Sequence, residues 1–424
     1  MVQYSGRRRR HHTLKEFVPR ATKLLFEKDN AWEKVLWKHA QTFSLWQITC
    51  VERMLACGTN MMGAKHYDCG TSNCPHTKVV CQSCKTKACS SCGTKSTEQW
   101  IHTQLDVMPD CEHQHITFTM PSELWPIFEA NPTLLNDLFS LAADTLLEWA
   151  KKHGLEVGIF GALHTYGRAL NWHPHIHLSV TRGGLDKHNT WKPIYFKKKH
   201  VEYHWRRTLI RLLRQKYDDL NLSTSTTHHI QYYRQWNFFL ERHYQRYWNI
   251  HFAKKTKVLK QTVNYLGRYL KRPPISASRL RHYSGGTVVF KYLDHRDGTH
   301  KTKTLTQEEM ILRYVSHIPQ HHFKMVRYYG FLSNRKRGRL LPLVYLALEK
   351  KSLEQAEPLT YAKQYKGFTG NDPYQCVLCG GRMEFTGFMK GPKNDELLDS
   401  RRMSMREARR LSELRRISPS KFSK

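Results

Sequence analysis

Hydrophobic positions first fall into register in "EKVLWKHAQTFSLWQITCVERML", where Val35, Leu36, Ala40, Phe43 and Leu45 to Ile48 form one apolar stripe, so residues 13 to about 62 read as mostly helical. Alternation of apolar and polar residues replaces that spacing in "HQHITFTMP", which predicts a strand, and a long helical pattern then runs from Glu123 to His153. The next stretch, "VGIFGALHTYGRALNWHPHIHLSVTRGG", predicts two strands joined by a short turn around Gly167 to Asn171 and closed at Gly183-Gly184. A helical, aromatic-rich region follows at about 200–250. The short helix "TVNYLGRYLKR" comes next and is stopped by Pro273-Pro274, and "GGTVVFKYLDHRDGTHKTKTL" reads as a hairpin. Strand, helix, strand, strand predicts an α+β fold with an antiparallel sheet.

Shifts in composition divide the chain into a basic, helical N-terminus (1–62), a cysteine-dense unit (63–110), the α+β region (111–290), a basic region with a second cysteine pair (291–389) and a basic tail (390–424). The tail has seven arginines between 401 and 416, with Ala408, Leu411, Leu414 and Ile417 at every third position, and reads as a basic helix or as a segment that orders on nucleic acid.

Charge narrows the partner. The 69 lysines and arginines exceed the 35 acids by 34 over 424 residues, and the excess runs the whole length, which points to nucleic acid rather than to a local membrane anchor. No uncharged apolar run approaches the ~20 residues of a membrane span, and no signal-peptide core follows "MVQYSGRRRRHH", so a cytosolic protein is expected. In a reducing compartment, eleven cysteines suggest metal or free thiols before disulfides.

Their spacing favours metal. Cys69-x4-Cys74 and Cys81-x2-Cys84-x4-Cys89-x2-Cys92, with His66 just ahead, form a knot that zinc would fold, with one or two ions both compatible. The intervening Lys78, Gln82, Lys85 and Lys87 are too polar for a core of buried thiols. Cys376 and Cys379 make half a zinc site, which would need partners such as His321 or His322; Cys50, Cys57 and Cys111 read as core residues.

In "WHPHIHLS", residues 172 to 179, His175 and His177 would project from one face of a strand, and two imidazoles leave a metal with open positions. With 26 histidines in the chain, roughly one or two His-x-His pairs arise by chance, so the spacing alone is weak. Tyr265 and Tyr269, four apart in "YLGRYLKR", share a helix face beside Arg268, Lys271 and Arg272; a phosphate-binding surface or simple packing would show the same pattern. Trp236, Phe238, Phe239 and Tyr247 could stack on unpaired bases or fill a core.

Taken in order, "SCKTKACSSCG", "HITFTMPSELW", "LHTYGRALNWHPHIHLSVTRGG", "VNYLGRYLKRPPISASRL" and "VRYYGFLSNRKR" followed by "CVLCGG" resemble the rolling-circle transposases of the insertion sequence 91 class, members of the HUH superfamily, over about residues 50 to 385. The resemblance implies an HUH-type antiparallel sheet flanked by helices, with a helical N-terminal region and a small zinc-binding domain. It implies a nuclease and strand transferase of single-stranded DNA, acting at element ends and on target DNA in a prokaryotic cytoplasm. Tyr265 and Tyr269 would be the nucleophiles, leaving a 5′-phosphotyrosine, and His175 and His177 would hold Mg²⁺ or Mn²⁺. A third ligand is sought among His164, His115 and Gln261; the hairpin turn favours His164. Zn²⁺ in the cysteine knot would help recognise the DNA, with Arg268, Lys271, Arg272, Arg335, Lys336 and Arg337 as DNA contacts. No phosphate loop of the Gly-x4-Gly-Lys-Ser/Thr type is present, so any helicase would be the host's. A plasmid replication initiator or relaxase shares this chemistry, and a non-catalytic zinc-containing DNA-binding regulator is the rival of another class; the oligomeric state stays open.

Overall fold

A computed structural model describes residues 21–253, 256, 258–270, 273–294, 297–349 and 359–399, with backbone alone at 21 and 268–270. The expected basic tail beyond 399, Lys271 and Arg272 therefore lie outside the described residues.

The N-terminal stripe is two helices rather than one run. Ala31–His39 ends at a short turn, and Ser44 starts Leu45–Ala56: its hydroxyl accepts from the Gln47 N–H at 3.2 Å, while the Gln47 side chain accepts from the Ser44 N–H at 2.9 Å. This reciprocal cap re-aims the second helix, so Thr49, Cys50, Val51 and Met54 are buried and Leu45, expected in the stripe, is 59% exposed. The helical pattern predicted from Glu123 to His153 is likewise interrupted. Asn131 precedes Pro132 and leaves the helical conformation, separating Trp125–Ala130 from the long helix that follows.

Along the chain come β1 (Gly63–Cys69), β2 (Thr77–Cys81), α1 (Ser90–Val107), β3 (His113–Phe118), α2 (Leu134–Lys152), β4 (Gly158–Tyr166) and β5 (Trp172–Thr181). They are followed by α3 (Lys198–Gln215), α4 (Tyr233–Tyr244), β6 (Ile250–Phe252), α5 (Leu259–Leu270), β7 (Val326–Gly330) and β8 (Met383–Lys390). Five strands form a central antiparallel sheet in the order β7-β4-β5-β3-β6, and the fold is α+β. The β4–β5 turn closes through Leu170, whose N–H donates to Gly167 O at 3.0 Å and whose side chain is fully buried although its φ is +58°.

Helices cover both faces of this sheet. Ile116, Phe118, Ile176 and Leu178 pack on the apolar stripes of α2 (Leu138, Phe139, Ala142, Leu146) and α3 (Val201, Trp205, Leu209). Across the sheet, Phe160 and Ala162 of β4 pack with Trp100 of α1 and with Val263 and Leu266 of α5. That double cover explains why every residue of β3 is buried, although its sequence alternates as in a one-sided strand.

A second core joins the N-terminal helices to the three-stranded sheet of residues 280–306 and to helix Gln307–Ser316. The unit boundary drawn at 290 passes through strand Thr287–Leu293 of that sheet. The region 291–389 is shared out rather than separate: β7 edges the central sheet, and β8 pairs with β1 in a sheet ordered β8-β1-β2. Strand pairing is non-local, so composition along the chain did not reveal it. Among the described residues, no helix is long and apolar enough to cross a membrane.

Candidate active site and cysteine clusters

Three histidines meet on the sheet face that α5 covers. His164 of β4 stands directly opposite His175 of β5, and His177 lies two residues on, facing the same side. One ring nitrogen from each lies within 4.8 Å of the others, and all three side chains are buried. The His175 Nδ1–H donates to the His173 carbonyl at 2.7 Å, which leaves Nε2 with its lone pair free to coordinate. His177 Nδ1 is 3.0 Å from His115 Nε2 and 3.2 Å from Thr117 Oγ1, so its ring is also oriented from one side.

Burial sets the charge of these rings. It pushes His175 down to about 3, with His173 nearby adding to the effect, and pushes His177 well below the ordinary imidazole value. His115 is likewise brought to about 3 by burial. His115, His175 and His177 are thus neutral near pH 7, the form in which imidazole binds a metal. Gln261, another candidate third ligand, is exposed, and His115 lies against His177.

Tyr265 comes to this face on α5. Its ring meets the His115 ring edge-on, with centroids 4.9 Å apart, and it is 41% exposed. α5 can approach because residue 267 is glycine: a Cβ there would sit 2.6 Å from Ile101 Cγ1 on α1. Tyr269 and Arg268 follow on the same helix, and only their backbone is described.

The cysteines form two groups of four, not one knot. Cys57, Cys84, Cys89 and Cys92 are all buried, with the sulfur of Cys92 at 3.7 Å from Cys57 and 3.5 Å from Cys84. Those separations suit a tetrahedron of sulfurs on zinc, about 3.8 Å for bonds of ~2.3 Å, and are far too long for a disulfide. Hydrogen bonding with the Cys57 thiol, and then with those of Cys84 and Cys92, draws Cys89 down into the thiolate form that a metal needs. Cys57, expected as a core residue, is therefore a member of a cluster set within the second core. Its neighbours along the chain are helical and apolar, so its clue was position: it ends a helix just before Gly58, which has φ +76°. Cys69 and Cys74 meet Cys376 and Cys379 in the second group.

The remaining zinc candidates lie apart from both groups. Cys81 donates to Asn60 Oδ1 at 3.3 Å, and His66 sits on β1 opposite Val79 and Gly387. His321 stacks on Trp46 and His322, not beside Cys376.

A family model described as a transposase zinc-binding domain matches residues 28–120, and one described as a putative transposase matches residues 158–339. The transposase of insertion sequence element IS801 from Pseudomonas savastanoi pv. phaseolicola is 47% identical over 378 residues, 88% of this chain and 91% of that relative. The chain belongs to the IS91-type transposase family. A putative transposase of Sinorhizobium fredii (strain NBRC 101917 / NGR234), y4qJ, is 30% identical over 346 residues, 76% of this chain and 84% of the relative. No solved structure matches.

For an IS91-type transposase, the buried four-cysteine group lies within the matched zinc-binding segment, and its donor set is that of a closed structural zinc site. The basic segment ahead of residue 340 opens helix Asn334–Ala347: Arg335 is exposed, Arg337 half-buried, and Lys336 Nζ is paired with both carboxylate oxygens of Glu156 at 2.8 and 2.9 Å. Of the aromatics proposed for stacking, Trp236 and Phe239 are in the core, whereas Phe238 and Tyr247 are 72% and 59% exposed.

Proposed function

We propose that this transposase nicks and rejoins single-stranded DNA through a phosphotyrosine, with Tyr265 as the attacking residue and Tyr269 as a second nucleophile on the same helix. The observation that carries this reading is the convergence of His164, His175 and His177 on the sheet face crossed by the tyrosine helix. Three imidazoles, those of His175 and His177 kept neutral by burial, fit a divalent cation. With no carboxylate among them, they favour Mn²⁺ over Mg²⁺, which prefers oxygen ligands. When bound, such an ion supplies positive charge to the oxygens of a scissile phosphate.

The protein's own groups do the rest. Neutral tyrosine, with a pKa of ~10, must lose its proton as its oxygen attacks phosphorus. The O–P bond to tyrosine forms, the P–O3′ bond breaks, and the departing oxygen takes a proton to become a free 3′-hydroxyl. The phosphodiester energy stays in the protein–DNA link, so attack by a 3′-hydroxyl restores tyrosine and joins strands without a nucleotide cofactor. The chain's positive charge and the exposed Phe238 and Tyr247 suit an unpaired, polyanionic strand.

The test is a covalent adduct on a denaturing gel after incubation with single-stranded element-end DNA and Mn²⁺ or Mg²⁺. Replacing Tyr265 and Tyr269 by phenylalanine, singly and together, assigns the nucleophile. His175→Ala should abolish the adduct while the zinc content stays normal. No adduct with any divalent metal would sink the proposal.

A further inference from the structure

We infer that Cys69, Cys74, Cys376 and Cys379 bind a second zinc ion, which fastens the C-terminal segment onto the N-terminal zinc domain. The four sulfurs lie within 4.8 Å of one another, with Cys69 Sγ 3.4 Å from Cys379 Sγ and Cys74 Sγ 3.7 Å from Cys376 Sγ. Zinc with Zn–S bonds of ~2.3 Å spaces its sulfurs about 3.8 Å apart, whereas disulfides would need ~2.05 Å.

Each pair is held by a tight turn of its own. The Gly380 N–H donates to Cys376 O at 3.0 Å, the Cys376 N–H donates to Gly381 O at 2.7 Å, and the Gly381 N–H points at Cys379 Sγ, 3.4 Å away. Gly380 has φ +76°, a turn conformation that favours glycine. Opposite, the Cys69 N–H donates to His76 O at 3.0 Å and the Cys74 N–H to Thr71 O at 3.2 Å, while His76 Nδ1 lies 3.1 Å from Cys376 Sγ. N–H groups aimed at sulfur stabilise thiolates, the form that coordinates zinc.

Burial does not account for this junction. Among the described residues, its apolar cluster has only Tyr67, Cys376 and Met383 buried, while Cys379 is exposed. A unit with so little core is the kind that metal binding completes. The ion would hold β8 in register on β1, starting from the Cys69–Met383 pair, and so close a loop of about 300 residues. Neither matched family segment, 28–120 or 158–339, includes the C-terminal pair.

The experiment counts zinc in the full-length chain by native mass spectrometry, in a His175→Ala background so that the histidine site does not contribute. Two ions are expected. The Cys376→Ser/Cys379→Ser chain should hold one, and so should Cys69→Ser/Cys74→Ser. All four substitutions together should still leave one, since both pairs serve the same ion. Cys81→Ser should keep two. A parent chain with one ion, or a Cys376→Ser/Cys379→Ser chain with two, overturns the inference. Because a variant can lose metal by unfolding, the His175→Ala chain with all its cysteines intact is also titrated with Co²⁺: thiolate-to-metal absorption should rise to two equivalents, and saturation at one overturns the second site.

Discussion

If the proposed function holds, the position of His175 and His177 suits them to a cation. Burial holds the His175 pKa at about 3 and that of His177 well below the ordinary ~6.5, so protons compete with a metal for these nitrogens only in strong acid. Mn²⁺ affinity, followed by electron paramagnetic resonance, should therefore stay nearly flat from pH 8 to about 5. An ordinary exposed imidazole pair would lose affinity as the pH fell through about 6.5, and a midpoint there would contradict this account. His115 belongs to the same argument as a positioning residue, because its Nε2 lies 3.0 Å from His177 Nδ1. Groups that orient a ligand's ring typically govern about 10- to 100-fold in affinity. His115→Phe is expected to weaken Mn²⁺ binding by that order while leaving the zinc count unchanged. An unaltered Mn²⁺ affinity would show that His115 does not orient His177.

At the level of elements, the decisive contact is α5 against α1. A glycine inside a helix costs roughly 1 kcal/mol relative to alanine, so Gly267 is explained by space rather than by helix propensity. A side chain at 267 would collide with Ile101, 2.6 Å from the missing Cβ, and lift Tyr265 away from the histidine face. Gly267→Leu should therefore reduce adduct formation at least 10-fold with zinc retained, and adding Ile101→Ala should recover part of the loss. Failure of the second change to help would mean that the helix is held elsewhere. Legibility in the sequence follows the same division between local and distant contacts. His175 and His177 could be placed on one face because the strand period is two, and His164 could be brought opposite them because the turn at 167–171 is short. Cys57 could not be grouped from spacing, since it lies 27 residues before Cys84 in an apolar helical run. Nor could Cys376 be matched to Cys74 across 302 residues. β7 and β8 were hidden for the same reason, each finding its partner strand far back along the chain. Leu45 misled because a hydrophobic stripe does not announce the capped break that rotates it outward.

For the molecule as a whole, the excess of 34 positive charges predicts DNA binding that falls steeply with salt, but not every cation should contribute equally. Each phosphate neutralised on a single strand adds about 0.7 to the slope of log affinity against log salt. Arg335 is exposed at the start of its helix, whereas the neighbouring Lys336 already faces both oxygens of Glu156 at 2.8 and 2.9 Å. A lysine paired in that way has its field largely cancelled before any phosphate arrives, and it must give up the carboxylate to bind one. Titrations of a fluorescent single strand between 50 and 200 mM salt, in a Tyr265→Phe/Tyr269→Phe background that prevents covalent capture, separate the two cases. Arg335→Ala should lower the slope by about 0.7. Lys336→Ala should leave it nearly unchanged, and Glu156→Gln, by releasing the lysine, should raise affinity at low salt and steepen the slope. Equal losses from Arg335→Ala and Lys336→Ala would mean that DNA displaces Glu156, and that the pair is a latch opened by the substrate rather than a fixed part of the scaffold.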